Sequence, residues 1–162
     1  MKTFIRTTLL ALLCLAGTAT AQQLDTSFSC SVARDESGEA VTYADNAEIH
    51  IEGDRIKSFR WESALFRSTH GFDCSIDESD GLTAEVRDET QKTTWRVALA
   101  DANAARAQRG FESGRRTTCT IRLEREGDIL GVKPSCPALC GSRPNFSELS
   151  VNLKTGDCRY EE

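Results

Sequence analysis

Apolar residues recur at every second position through much of this chain. Phe28, Cys30 and Val32 alternate with Ser29 and Ser31. Ile49 and Ile51 alternate within Glu48 to Glu52, and Glu52-Gly-Asp-Arg55 supplies a turn. Ile56, Phe59, Trp61, Leu65 and Phe66 continue the pattern to Phe66, with the alternation broken from Glu62 onward. Phe72, Cys74 and Ile76 alternate within Thr69 to Ile76, and Ser79-Asp-Gly81 is a turn. Leu82, Ala84 and Val86 lead to a turn over Asp88 to Lys92, followed by Trp95, Val97 and Leu99. Period-two runs separated by turns every ten or so residues predict short antiparallel strands in a sandwich or barrel.

One segment breaks that period. Asp101 is a good N-cap, Ala102 to Arg109 is rich in helix formers, and Gly110 stands where a helix ends. A helix of about two turns is expected there. The predicted fold is therefore all-β: a small antiparallel β-barrel or sandwich with one short helix. No linker, low-complexity tract or long repeat divides the chain.

The N-terminus has a different pattern. Lys2 and Arg6 precede the short apolar run from Leu9 to Ala16, and Ala19-Thr20-Ala21 is a small-x-small cleavage site. Residues 1–21 read as a signal peptide, and residues 22–162 as one exported domain, periplasmic or secreted. The apolar run is too short to span a bilayer, and no second run follows it. Cys14 is expected to leave with the signal. Loss of Lys2 and Arg6 leaves 18 basic against 25 acidic side chains, a net charge of −7. That balance disfavours nucleic acid and an anionic membrane surface, and suits a basic partner.

The six remaining cysteines, Cys30, Cys74, Cys119, Cys136, Cys140 and Cys158, are expected to form three disulfides in an oxidising compartment. One pair follows from register. Cys119, Ile121 and Leu123 share one face of a strand, Gly127-Asp128 fits a two-residue type II′ hairpin turn, and Ile129 to Cys136 returns. Leu123 then faces Val132, Ile121 faces Pro134 and Cys119 faces Cys136, all at non-hydrogen-bonded positions where strands approach most closely. Proline is tolerated there, and a cross-strand disulfide fits. Elimination leaves Cys140–Cys158 to staple the tail and Cys30–Cys74 to tie the first strand to the middle.

A search for chemistry returns little. His50 and His70 lie on separate predicted strands without further ligands, so no metal site is expected. The acidic cluster Asp73, Asp77, Glu78 and Asp80 does not follow calcium-loop spacing. Nucleophile signatures and phosphate loops are absent, and Cys136 and Cys140 are separated by three residues rather than two. No catalytic residue and no cofactor is assigned. Two patches are candidates for binding. Arg109, Arg115 and Arg116, in a stretch that also holds Arg106, offer guanidinium forks for a carboxylate-rich or phosphorylated ligand. Gly141, Ser142, Arg143 and Asn145 form a turn flanked by cysteines, and a braced loop binds at a lower entropy cost. Asn145-Phe-Ser147 matches a glycosylation acceptor, a chance match behind a bacterial-type export signal.

The pattern Cys119-x-Ile-x-Leu, Gly127-Asp-Ile-Leu-Gly-Val, Cys136-x-x-x-Cys140-Gly-x-Arg143-x-x-Phe146 and Gly156-x-Cys158 resembles small exported proteobacterial proteins without an assigned activity. Size, export and disulfide-braced β architecture also resemble the periplasmic and membrane-bound lysozyme inhibitors, small barrels that block the muramidase cleft with a loop. No inhibitory residue is carried over from them. The resulting expectation is a non-enzymatic binding protein that inhibits an envelope-attacking enzyme, as a lysozyme inhibitor or an immunity-type protein. A small-ligand carrier or sensor barrel and a carboxylate-dependent hydrolase are the alternatives.

Overall fold

The computed structural model describes residues 22–111, 114–136, 139–141 and 145–161. The export signal expected at residues 1–21, and the loop residues Ser142 and Arg143, lie outside the described residues. Among the described residues, ten strands follow one another as an up-and-down meander in two antiparallel sheets. The first sheet holds β1 (Gln23–Glu36), β2 (Glu39–Glu52), β3 (Arg55–Phe66) and β4 (Gly71–Asp77), in that order. The second runs β5 (Leu82–Asp88), β6 (Thr93–Leu99), β7 (Thr120–Glu126), β8 (Ile129–Ser135), β9 (Leu149–Asn152) and β10 (Cys158–Tyr160). The sheets do not close into one continuous ladder.

Local sequence explains the meander. Gly53 and Gly127 have positive φ, followed by Asp at negative φ, which is the type II′ arrangement that matches strand twist. Ser37 and Gly38 both have positive φ, at 56° and 83°, giving a type I′ hairpin between β1 and β2. The alternation then sets which face is buried. Val86, Trp95, Leu123, Val132, Leu149 and Tyr160 are cross-strand neighbours in one row that spans all six strands of the second sheet. They face Phe28, Ile49, Phe59, Trp61 and Ile76 of the first sheet in a single core. Phe59, Trp61 and Trp95 are fully buried side chains that fill the space between the sheets.

The helix α1 (Ala102–Gln108) lies between β6 and β7, with Ala102 and Ala105 turned inward. Asp101 caps it, its Oδ1 accepting from the Ala104 amide at 2.9 Å. Arg109 is the C-cap residue rather than the last helical one. Asp101→Ala is expected to destabilise the fold by about 1 kcal/mol, the usual cost of a lost N-cap, as read by urea denaturation.

The hairpin disulfide Cys119–Cys136 forms as its register requires, with Cα atoms 4.3 Å apart. The other two pairings differ from expectation: Cys30 bonds Cys158 and Cys74 bonds Cys140. The reason is strand spacing. Cys30 stands opposite Asp45, Asp45 opposite Ser63, and Ser63 opposite Cys74. Two strands separate the cysteines, so they sit about 14 Å apart at a spacing of roughly 4.8 Å per strand, too far for one bond.

Candidate functional site

Cys30, Asp45, Ser63 and Cys74 form one cross-strand row on the inner face of the first sheet, and all four are buried. Each one holds part of the chain's last third. Cys30 is bonded to Cys158 and Cys74 to Cys140. Asp45 accepts from the Tyr160 hydroxyl at 2.9 Å through Oδ2 and from the Trp61 indole at 2.9 Å through Oδ1. The Ser63 hydroxyl accepts from the Phe146 amide at 2.9 Å, and the Ser63 carbonyl accepts from the Asn145 side chain at 2.9 Å. The Phe146 ring packs edge-on against Trp61, with centroids 4.9 Å apart. The row acts as a clamp that fastens residues 139–141 and 145–160 to the first sheet.

Asp45 is the charged member of this clamp and is 1% exposed. Burial pushes its carboxyl above the ordinary value, against the opposing hydrogen bonds of Ser63, Tyr160 and Trp61. The Tyr160 hydroxyl is also raised, by burial first and then by the neighbouring Asp45 charge. Tyr160 additionally reaches the Cys30 carbonyl at 3.1 Å. These donors leave Asp45 committed to structure.

The two patches singled out in the sequence are drawn together in part. Arg109 turns onto the protein, donating to the Ala105 and Ser75 carbonyls at 2.7 and 2.6 Å and to Asp80 Oδ2 at 2.7 Å. Asp80 is nearly buried, and this pair ties α1 to the end of β4. Arg106 donates to the Gly141 carbonyl at 3.2 Å, and its guanidinium lies 5.9 Å from the Phe111 ring centre. Gly141 has a φ of 97°, and a Cβ there would meet the Phe111 ring at 3.0 Å, so the position demands glycine. Gly141 and Asn145 therefore act as fixed anchors on either side of residues 142–144. Arg115 and Arg116 are exposed, a few residues before β7.

Sequence reasoning missed Asp45, Ser63 and Tyr160. Asp45 sits at an inward position of β2, in phase with Val41, Ala47, Ile49 and Ile51. A polar residue in phase with an apolar stripe was the available signal. His50 faces Asp25 and Glu52 at 3.8 and 3.3 Å, and His70 Nδ1 lies 2.6 Å from the Thr69 hydroxyl. Among the described residues no group of three or more His, Cys, Asp or Glu side chains is arranged to hold a metal. Among them, too, no helix is long and apolar enough to cross a membrane. No protein-family model, curated protein or solved structure matches this chain.

Proposed function

We propose that this chain is an exported, non-enzymatic binding protein that inhibits a basic enzyme attacking the cell envelope. The observation that supports the reading is the anchoring around residues 142–144. On one side, Cys140 is bonded to Cys74 and the Gly141 carbonyl is held by Arg106. On the other, Asn145 and Phe146 are held by Ser63. Residues held in the way that Gly141, Asn145 and Phe146 are held lose little freedom on docking, and that is what an inhibitory contact needs. Three disulfides fit an oxidising compartment. The acidic balance of the chain suits a basic target, whose encounter it would steer.

The carrier reading draws less support, because Phe59, Trp61, Trp95 and the apolar row of the second sheet occupy the space a ligand would need. The hydrolase reading draws less again, since Asp45 and Asp80 are both engaged by neighbouring donors.

A panel of basic muramidases assayed with the domain of residues 22–162 tests the proposal. Inhibition is expected at stoichiometric ratios with at least one enzyme, weakening as salt rises because charge steers the encounter. Undiminished activity across the panel, with no complex on a sizing column, would rule the reading out.

A further inference from the structure

The three disulfides are nested along the chain. Cys119–Cys136 lies inside Cys74–Cys140, which lies inside Cys30–Cys158. The innermost bond joins cysteines that are consecutive in the sequence, and the two outer bonds do not. Each outer bond passes over a nearer competitor. Cys30 lies 44 residues from Cys74 (74 − 30) and 128 from Cys158. Cys140 lies 18 residues from Cys158 (158 − 140) and 66 from Cys74.

Closing a loop becomes harder with its length, at about the 3/2 power. In the unfolded chain Cys30 therefore meets Cys74 about fivefold more often than Cys158, and Cys140 meets Cys158 about sevenfold more often than Cys74. Delivery of the chain from its N-terminus adds to the bias, because Cys74 arrives well before Cys158. An oxidant acting on the unfolded chain thus favours Cys30–Cys74 and Cys140–Cys158. The folded row forbids the first of these. Asp45 on β2 and Ser63 on β3 stand between the two cysteines. The distance of about 14 Å is beyond the reach of one disulfide. While that bond stands, the first sheet cannot assemble, and Phe59, Trp61 and Trp95 cannot reach their buried positions between the sheets.

A chain caught in this state cannot release itself. With Cys119–Cys136 also closed, all six cysteines of residues 22–162 are in bonds, and the seventh, Cys14, belongs to the export signal. Exchange starts only when a thiolate attacks a disulfide sulfur, so the thiolate must come from outside. One is enough. It attacks Cys30 Sγ in the wrong bond, forms a mixed disulfide with Cys30 and releases the Cys74 thiolate. Cys74 attacks Cys140, closing Cys74–Cys140 and releasing the Cys158 thiolate. Cys158 then attacks Cys30, closing Cys30–Cys158 and expelling the external thiolate unchanged. The three exchanges involve no net oxidation or reduction.

We infer that this chain is a client of a thiol–disulfide isomerase, and that this partner installs Cys30–Cys158 and Cys74–Cys140. The partner is defined by its chemistry: a reactive cysteine of lowered pKa, kept in the thiolate form, in the compartment where the chain is oxidised. The inference rests on export into an oxidising compartment and on the pairing of the cysteines, and not on inhibition of an enzyme. Muramidases left untouched by the domain would leave it standing.

Oxidative refolding of reduced, unfolded residues 22–162 is the test, with a disulfide oxidase alone or with a reduced thiol–disulfide isomerase added in catalytic amount. Samples quenched by alkylation are mapped by proteolysis and mass spectrometry, and tryptophan fluorescence follows the burial of Trp61 and Trp95. With oxidase alone, Cys30–Cys74 and Cys140–Cys158 are expected to accumulate in chains that have not buried their tryptophans. The isomerase is expected to convert these chains to the three native pairs at least about tenfold faster than they convert without it. An isomerase whose active-site cysteines are replaced by serine is expected to give no acceleration. Native pairing that is as fast with oxidase alone, or wrong pairs that the isomerase leaves unconverted, overturns the inference.

Discussion

Replacing Cys30 and Cys158 with serine is expected to cost about 5 kcal/mol of stability, the largest loss of any disulfide in the molecule. The bond spans 128 residues, Cys74–Cys140 spans 66 and Cys119–Cys136 spans 17. Chain-entropy scaling gives about 4 kcal/mol for the second and about 3 kcal/mol for the third. The first loss has a further source. Cys158 opens β10, the outermost strand of the second sheet and the one that approaches β1. Without the bond, β10 keeps its short pairing with β9 and the Tyr160 hydrogen bonds as its remaining ties. Urea denaturation of the three double-serine variants reads the order directly. A Cys119/Cys136 variant that loses as much as the Cys30/Cys158 variant would contradict it.

Asp45→Ala is expected to cost about 3–5 kcal/mol, because it strands the buried Trp61 indole and Tyr160 hydroxyl without their acceptor. Asp45→Asn separates charge from shape. Burial raises the folded-state carboxyl above its ordinary value of 3.8. A carboxyl shifted upward contributes stability that is complete below the unfolded pKa and is lost as pH rises through the folded one. The margin of wild type over Asp45→Asn should therefore be greatest in acid and shrink as pH rises from about 4 towards neutrality. Using the difference between the two proteins matters. Glu39, Asp77 and Asp88 are shifted downward, chiefly by hydrogen bonds from Arg67, Ser79 and Thr93, and act in the opposite direction. Melting temperatures of both proteins over that range check the sign. A margin that grows with pH would show that Asp45 is not the buried, proton-favouring group described above.

Features set by neighbours in the sequence were legible, and features set across the sheet were not. Gly127-Asp128 defines its own turn, so the pairing of β7 with β8, and with it Cys119–Cys136, followed from counting residues. Asp101 and Gly110 likewise bracketed α1. The wrong pairing of the other four cysteines arose in the first sheet. The Ser37-Gly38 turn is flanked by Asp35, Glu36, Glu39 and Ala40, with no apolar run beside it to mark a hairpin. β1 therefore read as a short run around Cys30 rather than as 14 residues, and its register with β2 was not available. Without that register, Cys30 and Cys74 could not be seen to share a row with two strands between them. β9 and β10 are too short to show a period, at four and three residues. They hold their places through the clamp and the pairing with β8. Of the candidate binding residues, Gly141, Asn145 and Arg109 are where the loop and α1 are fastened, while Arg115 and Arg116 are exposed ahead of β7.

The clamp row of Cys30, Asp45, Ser63 and Cys74 is what fastens the described C-terminal residues from Leu139 onward to the first sheet, and disulfide mapping tests it most directly. Proteolysis of the unreduced domain followed by mass spectrometry is expected to return Cys30 linked to Cys158 and Cys74 linked to Cys140, alongside Cys119–Cys136. Peptides joining Cys30 to Cys74, or Cys140 to Cys158, would contradict the row and the anchoring of Cys140, Phe146 and Tyr160 that depends on it.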